Sequence, residues 1–266
     1  MTTKFRILAL ALMVALFSVQ CTNNDSETPD YPTSIESHFK SGSFSYDNIN
    51  IAYRDGSTLS SSAGRAALVV VLHGQYSSGS DNVSQLRSDA MIRIWHHLYT
   101  SNTHAVILAP QCSARRQWDE TEKDVKGTTM PQALKALIDN YVANKSNIDP
   151  SKVYLVGYSD GAQPAGGGAV WRMLSDYTDL FAAGMSVAAD PDETIVAANI
   201  AKTPVLSVKG ESDVHAVALT LDSFGDQVRD AGGELKEIVL NVRSREDVCR
   251  EAFTVENLSW LLQFTK

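Results

Sequence analysis

The sequence predicts an α/β fold: a mainly parallel sheet with helices on both faces. Three observations carry this. Short apolar runs alternate along the chain with segments of helical period, which is the pattern of strand-helix-strand units. One run, Ala66-Ala67-Leu68-Val69-Val70-Val71-Leu72, is apolar throughout, as a strand buried on both faces of a parallel sheet must be. The chain has 266 residues, 44% of them apolar, which is enough for one full core.

The elements follow in order. Phe44 and Tyr46, then Ile49, Ile51 and Tyr53, alternate around Asp47-Asn48 and predict a β-hairpin over 44–54. Strands are expected at 66–72, 104–109, 152–156, 182–187, 204–208 and 237–240. Helices are expected at 86–99, 130–142, 217–231 and 254–264. Thr129 before the second of these, with Pro131 in its first turn, is a helix-start signal. The periodic part is read as one domain, 41–266.

Residues 1–20 read as a signal peptide. Lys4 and Arg6 precede an apolar run, 7–19, that is short for a membrane span. Cys21 follows, then a polar acidic stretch, and 21–40 is read as a flexible linker. A signal segment ending at a Cys before such a tether resembles a bacterial lipoprotein. That resemblance implies acylation of Cys21 and a lipid-anchored protein in the envelope or at the cell surface. Ser18-Val19-Gln20 departs from the usual residues before the Cys, and ordinary export, to the periplasm or beyond, is the alternative. Without residues 1–20 the formal charge falls from −8 to −10. An acidic chain is a poor partner for nucleic acid, whose phosphates need Lys and Arg.

The chemistry concentrates at Gly157-Tyr158-Ser159-Asp160-Gly161, which follows the strand Val153-Tyr154-Leu155-Val156. Small residues around the serine let strand and helix approach closely, and the turn lifts the hydroxyl above the sheet. Leu72-His73-Gly74-Gln75 ends an earlier buried strand. With Gly79-Ser80-Asp81-Asn82, with Leu108-Ala109-Pro110-Gln111-Cys112 and Trp118, and with Phe181-Ala182-Ala183, these segments resemble the α/β-hydrolases. The resemblance is to their predicted peptidase/esterase branch, which includes carbohydrate esterases and relatives of polyhydroxybutyrate depolymerases. It runs from about residue 66 to Leu262.

The resemblance implies the α/β-hydrolase fold and a serine nucleophile, Ser159. It implies an oxyanion site from the backbone N–H groups of Gln75 and Asp160, and a substrate pocket bordered by Gln111 and Trp118. His73 is expected to anchor its loop rather than act as a base. Lys209-Gly210-Glu211-Ser212-Asp213 places Asp213 at the family's acid. The family's histidine should lie in the stretch 241–253, and this stretch has none; counting back from Phe253, its position falls on Glu246. The last histidine of the chain is His215, two residues after Asp213, which makes it the one nameable replacement base. After the elbow, Gln163-Pro164-Ala165-Gly166-Gly167-Gly168 is poor helix interior and predicts a broken helix start.

Three functions stay open: a weak ester hydrolase acting on acylated polysaccharides or other extracellular esters, a binding protein on the same scaffold, and a peptidase. Serine acyl transfer needs no cofactor, and no phosphate loop or dinucleotide fingerprint is present. No metal site is expected, because His96 and His97 are adjacent and diverge on a helix. Cys112 and Cys249 are read either as a disulfide across the pocket rim or as two separate buried thiols.

Overall fold

A computed structural model describes residues 30–58, 64–159, 166–211, 218–242 and 244–266. The expected signal peptide and Cys21 lie outside the described residues. The chain divides into two units, Met1–Asp30 and Tyr31–Lys266, and the second contains every element below.

Eight strands form one sheet: β1 (Lys40–Tyr46), β2 (Ile49–Ser57), β3 (Ala66–Leu72), β4 (Ala105–Gln111), β5 (Ile148–Tyr158), β6 (Ala183–Val187), β7 (Val205–Gly210) and β8 (Leu235–Leu240). Their order across the sheet is β1-β2-β4-β3-β5-β6-β7-β8. The hairpin β1-β2 lies antiparallel at one edge, and β3 through β8 run parallel. The helices are α1 (Asp89–Thr100), α2 (Met130–Asn144), α3 (Gly166–Asp176), α4 (Ala197–Ile200), α5 (Ala218–Asp230), α6 (Arg245–Glu251) and α7 (Val255–Leu262).

The apolar run of β3 is buried along its whole length and feeds both faces by the two-residue period of a strand. Leu68, Val70 and Leu72 pack with Leu134, Ile138 and Val170 from α2 and α3. Val69 and Val71 pack with Met91, Ile94 and Leu258 from α1 and α7. Each such side chain contributes about 1.5–3 kcal/mol when fully buried. In α2, Thr129 and Gln132 form a capping box, and Pro131 sits in the first turn, where its missing N–H is harmless.

Two readings are corrected. The stretch 21–40 is not a linker at its C-terminal end: Ile35 is fully buried, Phe39 nearly so, and Tyr31 packs edge-on against His96 and His97. Apolar side chains docked on α1 hold this segment. Second, 245–251 is a helix rather than a plain loop. The Ser244 hydroxyl accepts from the Asp247 N–H at 3.0 Å, the first turn is acidic, and Val248 and Cys249 are buried.

Cys112 and Cys249 are buried and form no disulfide with each other. They belong to the clusters on opposite faces of the sheet, so the bridging alternative does not hold.

The centre of the sheet depends on close backbone approach. An added Cβ on Gly157 would stand 2.0 Å from the Gly166 carbonyl oxygen, and one on Gly166 would stand 2.2 Å from that of Leu72. Gly79 has more room, with its nearest neighbour at 3.4 Å. Gly157→Ala and Gly166→Ala should therefore each destabilise the fold by about 1–3 kcal/mol or more through overpacking, while Gly79→Ala stays within about 1 kcal/mol. Thermal melts of the three variants check this; equal midpoints would count against the seam.

Candidate active site

Ser159 follows the last residue of β5 at the C-terminal end of the parallel strands, where open α/β sheets carry their ligands. Its N–H donates to the Val187 carbonyl at 3.1 Å, which ties it to the end of β6. The residue is 1% exposed. Gly157 and Gly166 meet directly beneath it, so β5 and α3 pack with no side chain between them. Residues 160–165 lie outside the described residues, and with them the Asp160 N–H and the expected helix break. The helix is described from Gly166 onward.

Leu72 pairs with Gly157 in parallel register, so β3 and β5 release their following loops side by side. Gln75 opens a 3₁₀ turn, Gln75–Ser77, in the β3 loop and is exposed. The placement brings this turn to the same end of the sheet as Ser159.

His73 is the anchor of this loop. It is 1% exposed; its Nδ1 donates to the Gly74 carbonyl at 2.7 Å, and its Nε2 accepts from the Cys112 N–H at 2.9 Å. One ring nitrogen must be a donor and the other an acceptor, so the imidazole is neutral and its tautomer is set. Burial lowers its pKa from 6.5 to about 4, partly opposed by the Gly74 bond and by Asp81. A proton on Nε2 would face the Cys112 N–H donor, which opposes the charged form independently.

The structure places Gln111 and Trp118, the expected pocket residues, as buried side chains beside the loop after β3. Gln111 is 3% exposed, and its carboxamide accepts from the Asn82 N–H at 2.6 Å and donates to Asp81 at 2.7 Å and the Ser77 carbonyl at 3.1 Å. Trp118 is fully buried, donates to the His73 carbonyl at 3.1 Å and lies edge-on to the His73 ring. Both side chains brace the loop after β3. Asp81, held well below the usual carboxylate range first by the Ser84 hydroxyl and then by backbone N–H groups and Gln111, completes the brace.

Asp213 and His215 lie outside the described residues. Glu246 is exposed in the first turn of α6, in a groove of about 390 Å³ lined also by Tyr76, Ser88, Tyr158 and Cys249. Its neighbour is the residue that reaches the serine: Arg245 Nη1 lies 3.4 Å from Ser159 Oγ. Consecutive residues of a helix diverge by about 100°, so Arg245 and Glu246 leave α6 in different directions. Ser244 as a cap three residues before Asp247 was the sequence signal for that helix.

The state of His73 yields a pH prediction. The unfolded chain binds this proton near pH 6.5, whereas the folded chain binds it only at about 4. Stability from this group is therefore present above about pH 6.5 and lost as pH falls toward 4, on the order of 3 kcal/mol in all. Urea midpoints measured from pH 7 to pH 4 should fall more steeply for the wild type than for His73→Asn. Parallel slopes would contradict a buried neutral imidazole.

No family model matches the chain, and no curated protein matches it. Solved structures do. A thermostable esterase superposes with a TM-score of 0.71 at 21% identity, over 86% of this chain and 64% of the other, so this chain spans less than two thirds of that protein. A ferulic acid esterase superposes with a TM-score of 0.63 at 13% identity, over 85% of this chain and 97% of the other. An acylaminoacyl peptidase from Pyrococcus horikoshii gives 0.60 at 12% identity, over 86% and 43%. With the strand order and the strand-to-helix turn at Ser159, these likenesses show that the chain has the α/β-hydrolase fold.

Proposed function

We propose that this protein is an exported serine hydrolase that cleaves carboxylic esters through an acyl-enzyme. The observation that carries the reading is Ser159 itself: it leaves β5 at the C-terminal edge of the sheet, above the contact between Gly157 and Gly166, beside the loop that follows β3. In the proposed reaction Ser159 Oγ attacks the ester carbonyl carbon and loses its proton to a base. The N–H groups of Gln75 and Asp160 stabilise the tetrahedral oxyanion. The C–O bond to the alcohol breaks, the alcohol leaves with that proton, and water then attacks the serine ester by the same route. His215 is the proposed base, oriented by Asp213. Acylated polysaccharides and other extracellular esters are the proposed substrates, with the protein held at the membrane through a lipid on Cys21. The esterases and the peptidase of the same fold support hydrolysis of an acyl bond and leave the choice between ester and amide to experiment.

A second reading has its own observation. The side chain placed against Ser159 Oγ is a guanidinium, which donates hydrogen bonds and accepts none, and so is no general base. On this reading the protein binds its ligand without turnover.

Two measurements separate these readings. Hydrolysis of p-nitrophenyl butyrate should be detectable above background in the wild type and absent in Ser159→Ala; identical traces from both proteins would remove the enzyme reading. Second, Arg245→His should raise the rate by about tenfold or more, because an imidazole there can take the serine proton, directly or through one water. Glu246→His should leave the rate unchanged, since residue 246 faces the groove. A gain from the Glu246 variant alone would reverse the assignment of these two positions.

A further inference from the structure

We propose that the groove between the end of β1, α2 and the residue that follows α3 is a binding site for a neutral polysaccharide chain. The site is separate from Ser159, and its occupancy stands on the groove alone; the ester-hydrolase reading above gives the bound chain its use.

The groove has a volume of about 360 Å³, within the range of small-ligand sites. Tyr46, the last residue of β1, and Tyr177, directly after α3, both line it. Tyr46 is 41% exposed and Tyr177 is half-buried. Gln132, Lys135 and Asp139 of α2 line it as well; they stand three and four residues apart and so share one face of the helix. Lys135 and Asp139 pair with each other, so the groove carries no net charge, and a charged ligand meets no unmatched opposite charge there.

Its polar atoms still have hydrogen bonds to make. The Gln132 carboxamide accepts from the Thr129 N–H at 2.9 Å through Oε1, which leaves the two Nε2 protons unused. Neither tyrosine hydroxyl has a hydrogen-bond partner among the described residues. Burial, and after it Asp176, Asp139 and Tyr46, raise the pKa of the Tyr177 phenol, so this hydroxyl is a neutral donor at neutral pH. A pyranose ring has apolar C–H faces and a rim of hydroxyls that both donate and accept. Tyrosine offers a rigid apolar face with a polar tip, at the cost of only two torsions. One groove thus meets both the faces and the rim. An apolar peptide or acyl chain would cover the Gln132 and tyrosine polar atoms without pairing them, which costs free energy.

The groove is also placed for a polymer. β1 is antiparallel to β2, and β2 to β4, so β1 runs in the same direction as β4, β3 and β5. Its last residue therefore stands at the same end of the sheet as Ser159. In the order β1-β2-β4-β3-β5, four spacings of about 4.8 Å separate β1 from β5, which puts Tyr46 on the order of 20 Å from the serine. That separation suits a chain of sugars, with one unit in the groove and another, bearing the ester, at Ser159.

Calorimetry on the wild type and on Ser159→Ala tests the proposal. The probes are cellohexaose, xylohexaose and mannohexaose, with a galacturonic acid hexamer as the charged control. At least one neutral hexamer should bind both proteins, with an affinity that added salt leaves unchanged and that Tyr46→Ala lowers by about tenfold or more. Tyr177→Phe, which keeps the ring and removes the hydroxyl, should lower it less. Tyr46→Ala should keep a cooperative unfolding transition, leave p-nitrophenyl butyrate hydrolysis unchanged, and raise KM for the acetylated form of the bound hexamer at unchanged kcat. No binding of any neutral hexamer, binding that survives Tyr46→Ala, or tighter binding of the charged hexamer overturns the proposal. So does a dimer in sedimentation that Tyr46→Ala dissociates, which would give the groove to a second copy of the chain. An unchanged KM overturns the groove's part in the reaction. Hexamer binding without any ester hydrolysis removes the ester reading and leaves the site standing.

Discussion

The contact on which the rest of this structure depends is backbone against backbone. Gly157 at the end of β5 and Gly166 at the start of α3 touch, and Gly166 in turn lies on the carbonyl of Leu72 at the end of β3. Three central segments converge where no Cβ fits. That convergence sets where Ser159 leaves the sheet and how closely the loop after β3 passes it. A methyl group at either glycine would separate strand from helix and move Ser159 relative to its neighbours. Acyl transfer is sensitive to such displacements, because it needs reacting atoms held about 3–3.5 Å apart.

Around this seam the chain builds a rigid polar brace from residues that sequence patterns usually invite one to read as chemistry. His73, Gln111 and Trp118 are all buried, and each joins the loop after β3 to the segment after β4. The imidazole of His73 serves as a two-ended connector between Gly74 and Cys112, and burial keeps it uncharged. Such a brace suits a loop that must present backbone donors at fixed positions, since preorganised donors act without rearranging during reaction.

Much of the fold was legible because its signals are local and repeated. The apolar run of β3, the alternation of β1 and β2 and the Thr129 capping box all act within a few residues; each located its element, with β3 at its observed bounds and the hairpin three to four residues short at its ends. Burial of the segment from Tyr31 to Phe39 was not legible, since its few apolar residues dock on a distant helix and carry no period of their own. The site was half legible. Ser159 follows directly on β5, as the strand before it implied, because strand pattern and glycine steric demand are encoded close together. The burial of Gln111 and Trp118 was not legible, because a motif conveys which residues recur together and not how far each is covered. The contact of Arg245 with Ser159 was not legible, because it depends on how the helix started by the Ser244 cap packs against the end of the sheet.

What results is an α/β-hydrolase scaffold in which a guanidinium lies against Ser159. A guanidinium is a donor only, so the proposed hydrolysis draws its base from another residue. The most direct test is intact-protein and peptide mass spectrometry after incubation with a fluorophosphonate, which phosphonylates only an activated serine and needs no knowledge of the substrate. The account predicts one adduct per chain, located on the peptide that contains Ser159 and absent from Ser159→Ala. An unmodified protein, or an adduct on another serine, would contradict it.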